Sequence, residues 1–190
     1  MDNVQEILIE KIGKKRVEHS IGVMETAMEL AKVYYADMDK AKIAGILHDC
    51  AKYGDKSYLL KRASDFDIIL DKIMIENYQL IHGPLGAEVA KEDFGVKDEE
   101  ILNAIRYHTT GRENMTLLDK IIYLADYIEP SRNFLGVEKA RKLAFENLDK
   151  SLIYAMDNTV IQLIKTSKLI HLDTIKARNY LVFKENSMDL

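Results

Sequence analysis

Apolar residues recur at three- and four-residue steps along nearly the whole chain, and no stretch sustains a period of two. That pattern predicts an all-α fold. Val4, Ile7, Leu8 and Ile12 make a short first helix that stops before Gly13. From Val17 the stripe His19, Val23, Ala27, Leu30 and Tyr34 marks a long helix with an inward-facing histidine at its head. Asp37-Met-Asp39 is a start signal for a helix over 40–50 that sets Ala41, Ala44 and His48 on one face. Residues 57–63 and 67–81 read as two more helices, the second ending just before His82. Pro84 suits the first turn of the next helix and Gly95 its end. Gly83 and Gly86 either let a backbone approach a ligand or serve an ordinary turn.

Asp98 caps a helix that carries Ile101, Ala104 and Ile105 up to His108, where Thr109-Thr110-Gly111 breaks it. Thr116 opens another, whose Leu118, Ile122, Tyr123 and Ala125 surround Asp126, and Glu129-Pro130-Ser131-Arg132 ends it. An aspartate in such a setting is costly unless it is paired or bound to a cation. Segments 137–147, 148–170 and 174–183 continue the helical period as scaffold, and the polar tail 185–190 is expected to fray.

Composition narrows the function. With two prolines, nine glycines and no linker-like tract, the 190 residues are expected to form one domain, 1–190. Its site core spans roughly 16–132, and helices over 137–183 complete the fold. The single Cys50 excludes an internal disulfide framework, as in a reducing cytosol. No apolar run is long enough to cross a membrane and the N-terminus lacks a signal-peptide layout, so a soluble cytoplasmic protein with no membrane role is expected. A net charge of −4 speaks against nucleic acid as partner, though it leaves room for a local basic pocket. The Met- and Tyr-rich C-terminal helices are either core or the surface of a homodimer.

The candidate chemistry lies in the order of the histidines. Four of five (His19, His48, His82, His108) each fall near a predicted helix segment, Asp49 follows His48 directly, and Asp126 comes later. Adjacent helical side chains point about 100° apart, so His48 and Asp49 reach one ion together only at a helix end that faces a cavity. Mixed imidazole and carboxylate ligands suit iron, manganese, zinc or magnesium-like ions and lean toward transition metals. His19, His48, Asp49 and Asp126 make a mononuclear site with open positions, while His82 and His108 either hold a second metal or contact phosphate. Lys52, three residues after Asp49, would lie over the same cavity, and Arg132, six after Asp126, would share it.

The order H…HD…H…H…D resembles the HD-domain metal-dependent phosphohydrolase superfamily, and so implies a single-domain HD helical bundle. More narrowly, Arg16-Val-Glu-His-Ser20, His48-Asp-Cys-Ala-Lys52, His82-Gly-Pro-Leu-Gly-Ala87, Arg106-Tyr-His-Thr-Thr-Gly111 and Ala125-Asp-Tyr-Ile-Glu-Pro-Ser-Arg132 are similar to segments of the symmetrical bis(5′-nucleosyl)-tetraphosphatases. The resemblance implies hydrolysis of diadenosine tetraphosphate to two ADP by a water whose pKa the metal lowers. It implies one or two ions, iron first, with manganese, magnesium or cobalt as alternatives. Asp49 would orient the water, His82 or His108 would protonate the leaving ADP oxygen, and Arg16, Lys52, His82, His108, Thr109 and Arg132 would contact the nucleotide. The stretch His171-Leu-Asp-Thr-Ile-Lys-Ala-Arg-Asn179 is similar to the family's closing motif and would bring Thr174 and Arg178 to phosphates. The alternatives are phosphohydrolysis of another nucleotide, a non-catalytic metal-dependent nucleotide sensor, and oxygen chemistry at a di-iron centre.

Overall fold

The molecule is built around a helix that is buried almost all round. In the computed structural model, which describes residues 2–188, nine of the twelve residues of helix α8 (Leu117–Ile128) are buried, among them Ile121, Ile122 and Leu124. Its start is fixed by a reciprocal cap between Thr116 and Asp119. Each of those aliphatic side chains contributes about 1.5–3 kcal/mol by leaving water. Against α8 lie α2 (Lys14–Val33), α3 (Met38–Leu47) and α7 (Glu99–Tyr107), with α9 (Val137–Glu146) and α10 (Leu148–Lys165) closing another side. Helix α1 (Asp2–Ile12) packs on α2, α6 (His82–Phe94) on α7, and α11 (Leu172–Met188) on α10. Two short helices, α4 (Lys56–Asp65) and α5 (Lys72–Glu76), and a 3-10 turn over Tyr78–Ile81 complete the described structure, which has no strand. The all-α expectation holds.

The crossing of α2 and α3 places the site. A Cβ added at Gly45 would stand 2.7 Å from Met24 Cα, so the backbones meet closely because no side chain separates them. Gly83 and Gly86 act likewise: added Cβ atoms would meet the Arg106 carbonyl at 2.7 Å and Ile105 Cγ2 at 3.2 Å. The small residues thus seat α6 against α7.

Several boundaries differ from those expected. The helix over 40–50 ends at Leu47 and residues 48–51 form a turn, which lets His48 and Asp49 leave the helix axis in different directions. No single helix spans 67–81: Asp67 takes a left-handed backbone at φ 53°, Asp71 caps the short α5 by accepting from the Met74 amide, and Asn77 ends it. There the turn chemistry of aspartate and asparagine overrides an apolar period. Helix α10 stops at Lys165 because Ser167 turns left-handed at φ 52° and the Lys168 amide closes onto the Leu163 carbonyl. The tail expected to fray is helical as far as Met188, and Asp189 and Leu190 lie outside the described residues. Capping by Asp37, Asp98 and Thr116 and the left-handed Gly95 agree with the sequence expectations at the other ends.

Candidate metal centre

Five helix ends or flanks converge on one spot. His19 comes from α2, His48 and Asp49 from the turn after α3, His82 from the start of α6, His108 from the end of α7, and Asp126 from α8. His48 and Asp49 are fully buried, His82 and His108 nearly so, and the Asp126 side chain keeps 20% of its surface exposed. His19, His48 and Asp126 offer ligand atoms within 4.8 Å of one another, as do His48, Asp49 and His108. These groups, with His48 common to both, hold five of the six residues of the sequence-derived cluster, and His82 joins them through Asp49.

The backbone fixes the tautomers. His48 Nδ1 donates to the Gly45 carbonyl at 2.8 Å, His108 Nδ1 to the Ile105 carbonyl at 2.7 Å, and His82 Nδ1 to the Gln79 carbonyl. Each acceptor is three residues upstream, so one local turn geometry is used three times. A carbonyl can only accept, so each of these Nδ1 atoms carries the proton and each Nε2 presents a lone pair. His19 reaches the same state differently: its Nδ1 donates to the Glu129 carboxylate at 3.1 Å.

Lone pairs consequently face carboxylate oxygens and each other. His19 Nε2 is 3.0 Å from Asp126 Oδ1, His82 Nε2 is 3.1 Å from Asp49 Oδ1, and the Nε2 atoms of His82 and His108 are 3.0 Å apart. His48 Nε2, His19 Nε2 and Asp49 Oδ1 are buried and have no hydrogen-bond partner. Acceptors pointed at acceptors repel unless a proton or a cation lies between them. Burial pushes His48 down to about 4 and lowers His82 as well, so protonation is opposed there. The donor set fits a divalent cation.

Positive charge surrounds the cluster. Lys52 Nζ and Arg16 Nη1 approach Asp49 Oδ2 at 3.1 and 3.3 Å, and Arg132 pairs with Asp126 at 2.5 Å. Burial works against the charge on Asp126, but the His19 contact, with His48 and Arg132 nearby, holds its carboxyl well below the usual carboxylate range. Burial also opposes a charge on His19, yet its contacts with Asp126 and Glu129 prevail and raise its pKa. Thr109 Oγ1 is buried without a partner in the wall that adjoins His108 and Arg132.

Two expected contacts are not brought in. Arg178 Nε donates to Asp157 at 2.8 Å, and Thr174 is buried in the first turn of α11; neither lines the cavities beside the cluster. Cys50, although next to Asp49, turns its thiol toward the Gly86 carbonyl.

The sequence reading missed three features. Glu129 is nearly fully buried and accepts from His19, from the Ser131 amide and from the Ser131 hydroxyl. Arg141 clamps the carbonyls of Ile128, Glu129 and Arg132, all at 2.8 Å, and so holds the segment that carries Glu129 and Arg132. Lys14 and Lys15 join Arg16, Lys52 and Arg132 around a cavity of about 490 Å³ over Asp49. Only the run Lys14-Lys15-Arg16 could have signalled any of this from the sequence.

The fold and the histidine–aspartate cluster define a metal-dependent hydrolase of the HD class. Residues 16–131 match the HD domain model, and the chain belongs to that family. It is 45% identical over 174 residues to a Halalkalibacterium halodurans protein named symmetrical bis(5′-nucleosyl)-tetraphosphatase, covering 92% of each chain. A Bacillus subtilis protein of the same name is 44% identical over 91% of this chain and 92% of its own. Among solved structures, a Clostridium acetobutylicum protein described as a predicted HD superfamily hydrolase involved in NAD metabolism superposes with a TM-score of 0.94. It is 46% identical, over 96% of this chain and 97% of that one.

Proposed function

We propose that this protein hydrolyses diadenosine tetraphosphate symmetrically to two ADP, as a single HD domain that uses a divalent metal. The observation that carries the reading is the set of inward-facing Nε2 lone pairs and carboxylates, bordered on one side by five cations. Such a border suits a polyphosphate, and the names of the nearly full-length relatives point to the dinucleoside tetraphosphate.

His19, His48, Asp49 and Asp126 would hold the metal, with His82 and His108 either holding a second ion or contacting phosphate. When bound, the metal supplies Lewis acidity and lowers the pKa of water. Iron suits this mixed shell, and manganese, magnesium and cobalt are the alternatives.

The remaining work falls to the chain. Arg16, Lys52 and Arg132 neutralise the phosphate oxygens, and their fixed positions select which bridge of the tetraphosphate lies at the cluster. Asp49 orients the attacking water. His82 or His108, whose Nε2 atoms stand 3.0 Å apart, would pass a proton to the ADP oxygen as it leaves. Burial of both rings keeps bulk water from competing for that proton.

The experiment is Asp49→Ala assayed for hydrolysis of diadenosine tetraphosphate, for metal binding and by circular dichroism. Loss of turnover and of metal with an unchanged helical spectrum supports the reading, and retained turnover rejects it. Tight nucleotide binding without turnover in the wild-type protein would favour the sensing module.

A further inference from the structure

Arg132 lines the basic cavity over Asp49 and also a smaller one of about 270 Å³ beside His108 and Asp126. Three residues earlier, Glu129 accepts from His19. Both belong to the irregular segment that follows α8, where Pro130 has no amide hydrogen to donate. The end of a helix leaves carbonyls without intrahelical partners. Here two arginines supply them. Arg132 Nε donates to the Asp126 carbonyl at 2.8 Å, and Arg141 takes three more: Nε donates to the Ile128 carbonyl and Nη2 to those of Glu129 and Arg132, each at 2.8 Å.

Arg141 itself lines neither cavity. It stands in the second turn of α9, three-quarters buried, and its Nη1 pairs with Glu138 one turn earlier, which leaves Nε and Nη2 directed at the segment.

We infer that Arg141 is a positioning residue for both halves of the reaction: by holding the backbone of residues 128–132 it sets Arg132 for phosphate and Glu129 for His19. This rests on the reading that Arg132 binds polyphosphate and that His19 holds the metal. Without Arg141, water can replace the lost hydrogen bonds but not the spacing that one rigid group imposes on three carbonyls. That spacing reaches the site on both sides. Arg132 must keep its backbone in place to pair with Asp126, and the Glu129 carboxylate is steadied by the amide of Ser131, which lies inside the clamped segment. Shifts of about 1 Å in such groups are enough to slow a reaction about 10²-fold. The planar fork is essential, because an ammonium presents its donors from one point and cannot span carbonyls of residues 128, 129 and 132.

The test is a pair of double-mutant cycles on the full-length protein. Metal affinity, read by competition with a chromophoric chelator, is compared in wild type, Arg141→Ala, Glu129→Ala and the double variant. Pyrophosphate affinity, read by calorimetry on chelator-treated protein, is compared in wild type, Arg141→Ala, Arg132→Ala and their double variant. Arg141→Ala is expected to weaken metal binding by about 10-fold or more, the scale for groups that orient a ligand. It should weaken pyrophosphate as well, and add less than about 2-fold to the loss already present in Glu129→Ala or Arg132→Ala. Arg141→Lys should lose affinity for both ligands in the same way, and it carries the cycles if the alanine variant does not fold. Wild-type affinities in either variant, a loss confined to one ligand, or losses that multiply with those of Glu129→Ala and Arg132→Ala would make Arg141 a stabiliser of the fold alone and overturn the inference. Wild type that binds neither metal nor pyrophosphate removes instead the reading on which the inference rests.

Discussion

His19 Nδ1 and Glu129 Oε1 lie 3.1 Å apart although 110 positions separate them in the chain. Glu129 leaves His19 one tautomer, with its Nε2 lone pair turned into the cluster. Room for Glu129 comes from Gly22, where an added Cβ would stand 2.9 Å from Glu129 Oε2. Burial opposes the carboxylate charge, but the Ser131 hydrogen bonds and His19 lower its pKa. Glu129→Ala is therefore expected to weaken metal binding by about 10- to 100-fold, read by competition with a chromophoric chelator. Glu129→Gln, whose amide oxygen can still accept from His19, should recover part of that loss. Equal affinity in all three proteins would show that His19 needs no such orientation.

A second consequence concerns stability. Gly45→Ala places a methyl group against the Met24 backbone and disturbs the residue whose carbonyl holds His48. It is expected to cost about 1–3 kcal/mol in urea denaturation and to reduce metal affinity as well. A variant as stable as the wild type would mean that α2 and α3 can separate without penalty.

How much of this was legible beforehand follows from the kind of signal each part leaves. The long helices and their caps were readable because apolar period and capping chemistry agree at Asp37, Asp98 and Thr116. The segment 67–81 was not, because Ile68, Ile69, Ile73 and Ile75 imitate a helical stripe while Asp67, Asp71 and Asn77 set turns that no periodicity reports. The six cluster residues stood out as polar groups at helix ends. Glu129 did not, since a glutamate before a proline reads as an ordinary helix end and its partner is fixed only by tertiary packing. For Thr174 and Arg178 the motif resemblance alone carried the role, and in the structure Arg178 pairs with Asp157.

Acid should weaken the metal-free protein through His48. Burial holds its folded pKa at about 4, against about 6.5 for a free imidazole. As pH falls through 6.5 the unfolded chain takes up a proton that the folded chain refuses. The contribution is thus complete above about pH 6.5 and is lost progressively toward pH 4. Between pH 7.5 and 5 this amounts to about 2 kcal/mol. His19 shifts the opposite way, so the comparison is between wild type and His48→Gln, which retains His19. Denaturation midpoints should converge on acidification, and parallel pH profiles would show that His48 titrates normally.

Arg132 is expected to act on the reaction more than on the fold. It is paired with Asp126 but remains partly exposed, and it borders both cavities. Arg132→Ala should lower the hydrolysis rate by about 10²-fold, the scale for losing one charge-stabilising donor. The fall should appear in kcat/KM for polyphosphate substrates, measured beside thermal denaturation. An unchanged rate with lowered stability would make Arg132 a structural partner of Asp126 alone.

The most direct test of the account is the product distribution from diadenosine tetraphosphate, resolved by ion-exchange chromatography with metal-reconstituted protein and a chelator-treated control. The account predicts ADP as the sole nucleotide product, with turnover lost on chelation. AMP and ATP in equal amounts, or turnover that survives chelation, would contradict it.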